Sequence, residues 1–278
     1  MKKWILGIVL LTVLNQGFAQ NTIDTDVQDA ELDRLDSLAQ THPYVEINGN
    51  YVSKVVYNGR TEGVTQYGLS PTITAHLVKG WSLSYAGEWW SAGQPQYAFS
   101  SVGVNKDFDM GKSGSGAIGY SRWFSHTSDV TQKSDYTGSI DADMHWEVGS
   151  FKMGSSASVL LGSSRALFLE PYMGYETSGR FGKDRLFKWL INPSVLVDFG
   201  NDVPTRLVKK VIRRPAKGNG KTVFGLLNYD VALLATLSYK RTAVSMTYHL
   251  NIPKNTLAPN PITPFSYFEL SINQWFGF

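Results

Sequence analysis

From Pro43 onward the chain keeps a period of two, and this constrains its fold more than any motif it carries. In LNYDVALLATLSYK, Leu227, Tyr229, Val231, Leu233, Leu237 and Tyr239 oppose Asn228, Asp230, Thr236, Ser238 and Lys240. In TAVSMTYHLN, Val244, Met246, Tyr248 and Leu250 oppose Ser245, Thr247 and His249. WSLSYAGEW sets Trp81, Leu83, Tyr85 and Trp89 against Ser82, Ser84 and Glu88. Successive side chains of a strand point to opposite faces, so each such stretch is a strand with one apolar and one polar face.

Both a soluble sandwich and a membrane barrel show this alternation. Three features favour the barrel. The stretches run long enough to cross a bilayer at a tilt. Tyr and Trp gather near the ends of the apolar faces, as an interfacial girdle requires. No long helix or second sheet is needed to cover those faces. The fold class expected is therefore all-β, a closed antiparallel transmembrane β-barrel. Twelve strands are expected near 44–58, 64–78, 81–92, 96–107, 114–125, 136–148, 151–163, 166–178, 187–199, 223–239, 242–252 and 265–278, with ten or fourteen as alternatives. Long loops (SHTSDVTQKSD, NDVPTRLVKKVIRRPAKGNGK, PKNTLAPNPITP) fall on one side and mostly tight turns on the other. That asymmetry suits both termini in the periplasm.

The region before Pro43 differs. Lys2 and Lys3, the apolar run Trp4 to Leu14, and small residues around Ala19 form a secretory signal peptide, expected to be cleaved after Ala19. The run is too short to span a bilayer as a helix. There is no cysteine anywhere, so neither a lipoprotein anchor nor a disulfide is available. Residues 20–42 carry six acids and one Arg and read as a short acidic periplasmic helix or arm. The expected division is 1–19 signal peptide, 20–42 acidic segment and 43–278 barrel.

The chain finishes FELSINQWFGF. An aromatic-rich last strand closing on Phe resembles the terminal strand of bacterial outer-membrane β-barrel proteins, and the opening strand followed by NGRTEG is similar to the start of some porin families. The resemblance implies that Phe268, Phe276 and Phe278 form the signal read by the barrel-insertion machinery. It also implies an exported protein of the bacterial outer membrane, in contact with lipid and lipopolysaccharide.

The inner face carries the candidate chemistry. In SIDADMHWEVG, Asp141, Asp143, His145 and Glu147 share one face, while Ile140, Ala142, Met144, Trp146 and Val148 take the other. Four ionisable groups in a row cannot face hydrocarbon, so they belong in the lumen. Glu46, Lys54, His76, Glu88, Glu170, Asp230, Lys240, His249 and Glu269 are expected to join them. Such a stripe serves as a cation-selective lining, as a plug of ion pairs filling a narrow barrel, or as a metal site of Asp, His and Glu. A second cluster, TRLVKKVIRRPAKGNGK, places Arg206, Lys209, Lys210, Arg213 and Arg214 on an outer loop, where they would meet anionic lipopolysaccharide or another anionic ligand. Its GNGKT end lacks the earlier glycine of a phosphate loop, since Pro215 stands there. A net charge of +3 argues for no nucleic acid.

No enzyme is expected. Ser125 and His126 are adjacent on an extended chain and point apart, and no G-x-S-x-G occurs. No cofactor or resident metal is expected, and a monomer suits the fold. The leading expectation is a porin-like channel for small polar solutes or cations. The alternative is a filled structural barrel that docks a partner through its outer loops or acidic arm.

Overall fold

The computed structural model describes residues 43–54, 67–91, 97–111, 113–126, 136–163, 165–182, 186–201, 224–254 and 263–277. The signal peptide, the acidic segment, the basic loop and Phe278 lie outside them.

Thirteen strands are present: β1 (Tyr44–Val52), β2 (Gly68–His76), β3 (Trp81–Trp90), β4 (Tyr97–Asp109), β5 (Gly114–Ser125), β6 (Tyr136–Val148), β7 (Phe151–Gly162), β8 (Ala166–Tyr175), β9 (Thr177–Phe181), β10 (Phe187–Asn201), β11 (Phe224–Tyr239), β12 (Thr242–Pro253) and β13 (Phe265–Gly277). Each pairs antiparallel with its neighbour in the chain, except that β8 and β9 both pair with β10. Their registers against β10 are continuous: Ser194 faces Gly174 and Ile191 faces Thr177. β8 and β9 are therefore one strand interrupted at Glu176, and the barrel has twelve staves.

Closure comes from β13 pairing with β1 over nine residues, Tyr44 with Gly277 through Val52 with Glu269. A closed ring leaves no row of unpaired backbone groups, which hydrocarbon would not tolerate.

The alternation decides which way each strand faces. Ile272, Met246, Leu233, Met173 and Ile118 point outward and stay exposed, while Ser271, Ser245, Ala232, Gly174 and Gly119 on the adjoining positions are buried inside. In β13, Phe268 and Phe276 are 40% and 46% exposed on the outside, and Tyr267, Glu269, Ser271, Asn273 and Trp275 are buried inside. This exterior is an apolar band and the interior a polar core, the inverse of a soluble domain.

Both chain ends of the described barrel lie at one rim, the terminal end. The hairpin turns there are short. At Val78–Gly80 the chain turns through left-handed Lys79 (φ 62) and Gly80 (φ 71). A Cβ on Gly80 would stand 2.8 Å from the Asp107 carbonyl oxygen, so this turn needs glycine both for its conformation and for space. Lys240 (φ 52) occupies the turn between β11 and β12, with its ammonium 5.2 Å from the Tyr239 ring. Lys240 is thus a rim residue and not a lumen residue: the alternation of β11 ends one position earlier, where the chain reverses.

Candidate functional site

The site is the barrel interior. Its distal end, away from the termini, is apolar: Val52, Trp90, Phe99, Trp123, Tyr136 and Phe168 are all buried there. Trp90 and Phe99 meet edge to face at 5.7 Å. Beneath Trp90, Glu88 is buried and accepts a 2.6 Å hydrogen bond from the Ser70 hydroxyl.

At the terminal end, Tyr44, Ala243 and Trp275 pack together. The Tyr44 ring stacks on His76 at 4.2 Å, and His76 lies 3.1 Å from the Glu46 carboxylate. Lys54, near the distal rim, donates to the Ser266 carbonyl oxygen at 3.1 Å.

The stripe on β6 runs down one wall, and each member has different surroundings. Asp141 accepts hydrogen bonds from the Ser139 and Ser158 hydroxyls, both 2.6 Å. Asp143 is 3% exposed and its Oδ1 accepts no hydrogen bond. The His145 Nε2 is 2.6 Å from the Ser115 hydroxyl. Glu147 pairs with Lys152 Nζ at 2.6 Å, and Lys152 also reaches Glu176 at 3.7 Å. The four are strung along the barrel rather than gathered. Among the described residues no three His, Asp or Glu side chains are grouped to hold a metal ion.

A second cluster sits on β11, β12 and β13. Asp230 Oδ2 is 3.0 Å from His249 Nδ1 and accepts from the Tyr267 hydroxyl at 3.3 Å. The His249 and Tyr267 rings stack at 4.4 Å and 2°. Glu269 lies 3.9 Å from His249 Nε2.

The wall of β8 and β10 holds acids that the sequence reading underweighted. Glu170 on β8 interacts with Asp198, Asp143 and Asp230. Asp198 on β10 bonds the side chain of Asn228, its register partner on β11. Asp198 was missed although PSVLVDFG carries the signal: Ser194, Leu196 and Asp198 alternate with Val195, Val197 and Phe199. Lys152 was missed for a similar reason, since it opens β7 beside a turn.

Taken together, Asp141, Asp143, Glu170, Asp198, Asp230 and Glu269 line the interior from five staves, while Lys152 is held by Glu147 and Glu176. Carboxylates held around an axis by a closed ring attract cations and repel anions.

Ser125 and His126 form no dyad. His126 Nε2 lies 3.0 Å from the Ser100 hydroxyl instead, and its ring stacks on Tyr97 at 4.4 Å.

A closed twelve-stranded antiparallel barrel with an apolar exterior and a polar interior defines an outer-membrane-type β-barrel protein. No family model matches the chain. No curated protein matches it. Among solved structures it is similar to the KdgM porin (TM-score 0.44, 8% identity, 83% of this chain and 98% of that one). It is also similar to the NanC porin (TM-score 0.46, 9% identity, 83% and 98%) and to LpxR from Salmonella typhimurium (TM-score 0.47, 10% identity, 83% and 100%).

Proposed function

We propose that this protein is a narrow, cation-preferring channel of the bacterial outer membrane. The observation that carries the reading is the set of six acids, Asp141, Asp143, Glu170, Asp198, Asp230 and Glu269, on the inner faces of five staves. Trp90, Phe99 and Trp123 at the distal end limit the width of any path, so the solutes that suit it are ions and small polar molecules rather than sugars. The basic loop, with Arg206, Lys209, Lys210, Arg213 and Arg214, would lie on the outer surface beside lipopolysaccharide phosphates. The end of β13, with Phe268 and Phe276 outward, serves the insertion machinery in this reading. No catalytic role is assigned.

The buried aromatic layer favours one other reading, a filled barrel that holds a partner through its outer loops or acidic arm. The two separate cleanly in a planar bilayer under a salt gradient. Full-length refolded protein should give steady current steps with a reversal potential on the cation-selective side. A correctly folded barrel that stays silent would reject the channel and leave the filled barrel.

A further inference from the structure

The terminal rim carries an arc of cations. Arg180 on β9, Lys188 on β10, and Lys240 and Arg241 in the turn between β11 and β12 stand on neighbouring staves. Among the described residues, the rimward stretches of these staves and of β13 (177–182, 186–192, 236–246 and 270–277) hold no Asp or Glu. Glu176, just beyond the arc, is held 3.7 Å from Lys152. Arg180 faces Lys188 directly in the register of β9 and β10. Their neighbours Phe181 and Phe187 stack on the outer surface, so both cations belong to the inner face at the mouth. Like charges directly opposite destabilise a strand pair, so this place calls for an anion.

The same rim is where the segment 20–42 joins the barrel. It leads into Tyr44, which pairs with Gly277. A Cβ on Gly277 would stand 3.6 Å from Arg241 Nη2, so the arc of cations begins beside that junction. The segment carries Asp24, Asp26, Asp29, Glu31, Asp33 and Asp36 against the single cation Arg34. From β1 through β13, β12 and β11 to β10 is four strand spacings, about 19 Å along the wall. Even at the 1.5 Å rise of a helix, residues 20–42 reach roughly 35 Å. A tethered partner acts at an effective concentration on the order of millimolar, so exposed ion pairs that would be weak between separate molecules suffice here. Lipid headgroups or another protein's acids have no such tether.

We propose that the acidic segment 20–42 docks on this arc of its own barrel, its carboxylates against Arg180, Lys188, Lys240 and Arg241 at the terminal mouth. The docking is independent of the channel reading and is followed by cleavage rather than by current. Arg34 is the one trypsin site between residues 20 and 42. Full-length refolded protein in zwitterionic micelles is treated with trypsin, and the fragment ending at Arg34 is followed by mass. At low salt, cleavage there should be roughly tenfold slower than in the Arg180→Gln, Lys188→Gln, Lys240→Gln, Arg241→Gln variant. The gap should close at about 1 M salt, where the Debye length is about 3 Å. Equal rates at low salt would overturn the docking. Where the quadruple variant fails to fold, the salt dependence of the parent barrel is the test, and an Arg34 cleavage rate unchanged between low and high salt overturns it. Protection that disappears when phosphatidylglycerol is added to the micelles gives the arc to lipid headgroups and overturns it equally.

Discussion

The wall of β11, β12, β13 and β1 and the wall of β8 and β10 solve the same problem differently. In the first, inward side chains find one another. Thr236 and Ser245 hydroxyls meet at 2.9 Å, Asn48 bonds Asn273 at 2.5 Å, and His249 is clasped between Asp230 and Glu269. In the second, the strand breaks at Glu176, and Glu170, Tyr172, Leu196 and Asp198 are only half-buried. Small polar residues at spacing two make a wall of cross-strand side-chain pairs. Acids placed opposite acids make one that gathers negative charge. The path proposed for cations follows the second wall.

The largest effect should be shared by both walls, because their outer faces meet the same lipid. Ile272→Lys on β13 and Met173→Lys on β8 should each cost roughly 2–4 kcal/mol near the bilayer midplane. Urea-dependent refolding into lipid vesicles measures this. Unequal losses would mean that the walls differ outside as well as inside. Next comes His249→Ala, which leaves the buried Asp230 carboxylate without its closest partner and should cost about 1–3 kcal/mol in the same assay. Glu170→Gln, on the acidic wall, should cost less than His249→Ala, since it relieves repulsion from Asp198 and Asp143. An equal loss would abolish the distinction between the walls. The smallest effect is Thr236→Val, which removes one neutral hydroxyl pair and should cost about 0.5–1.5 kcal/mol.

The sequence foretold the faces better than the heights. TAVSMTYHLN alone places Ser245 and His249 inside and Met246 and Tyr248 outside, because a period of two leaves no other arrangement once one face meets lipid. The staves were legible for the same reason; their bounds differ from expectation at β1, which ends at Val52, at β2, which runs only from Gly68 to His76, and at β8 and β9, where the chain continues past Glu176 to Phe181. What one chain does not reveal is which residues share a level. That depends on the stagger between neighbouring strands, which the turns and the closure of the ring fix together. Asp141, Asp143, His145 and Glu147 read as one unit along β6, yet across the barrel they belong to different levels and different partners. Asp198 and Glu170, far apart in sequence, belong together.

The central claim is that the acids of the β8 and β10 wall set the preference for cations. The reversal potential of the Glu170→Gln, Asp198→Asn double variant, beside wild type in the same asymmetric salt, tests it most directly. A shift toward zero is predicted, with Thr236→Val left at the wild-type value. A double variant that conducts with an unchanged reversal potential would contradict it.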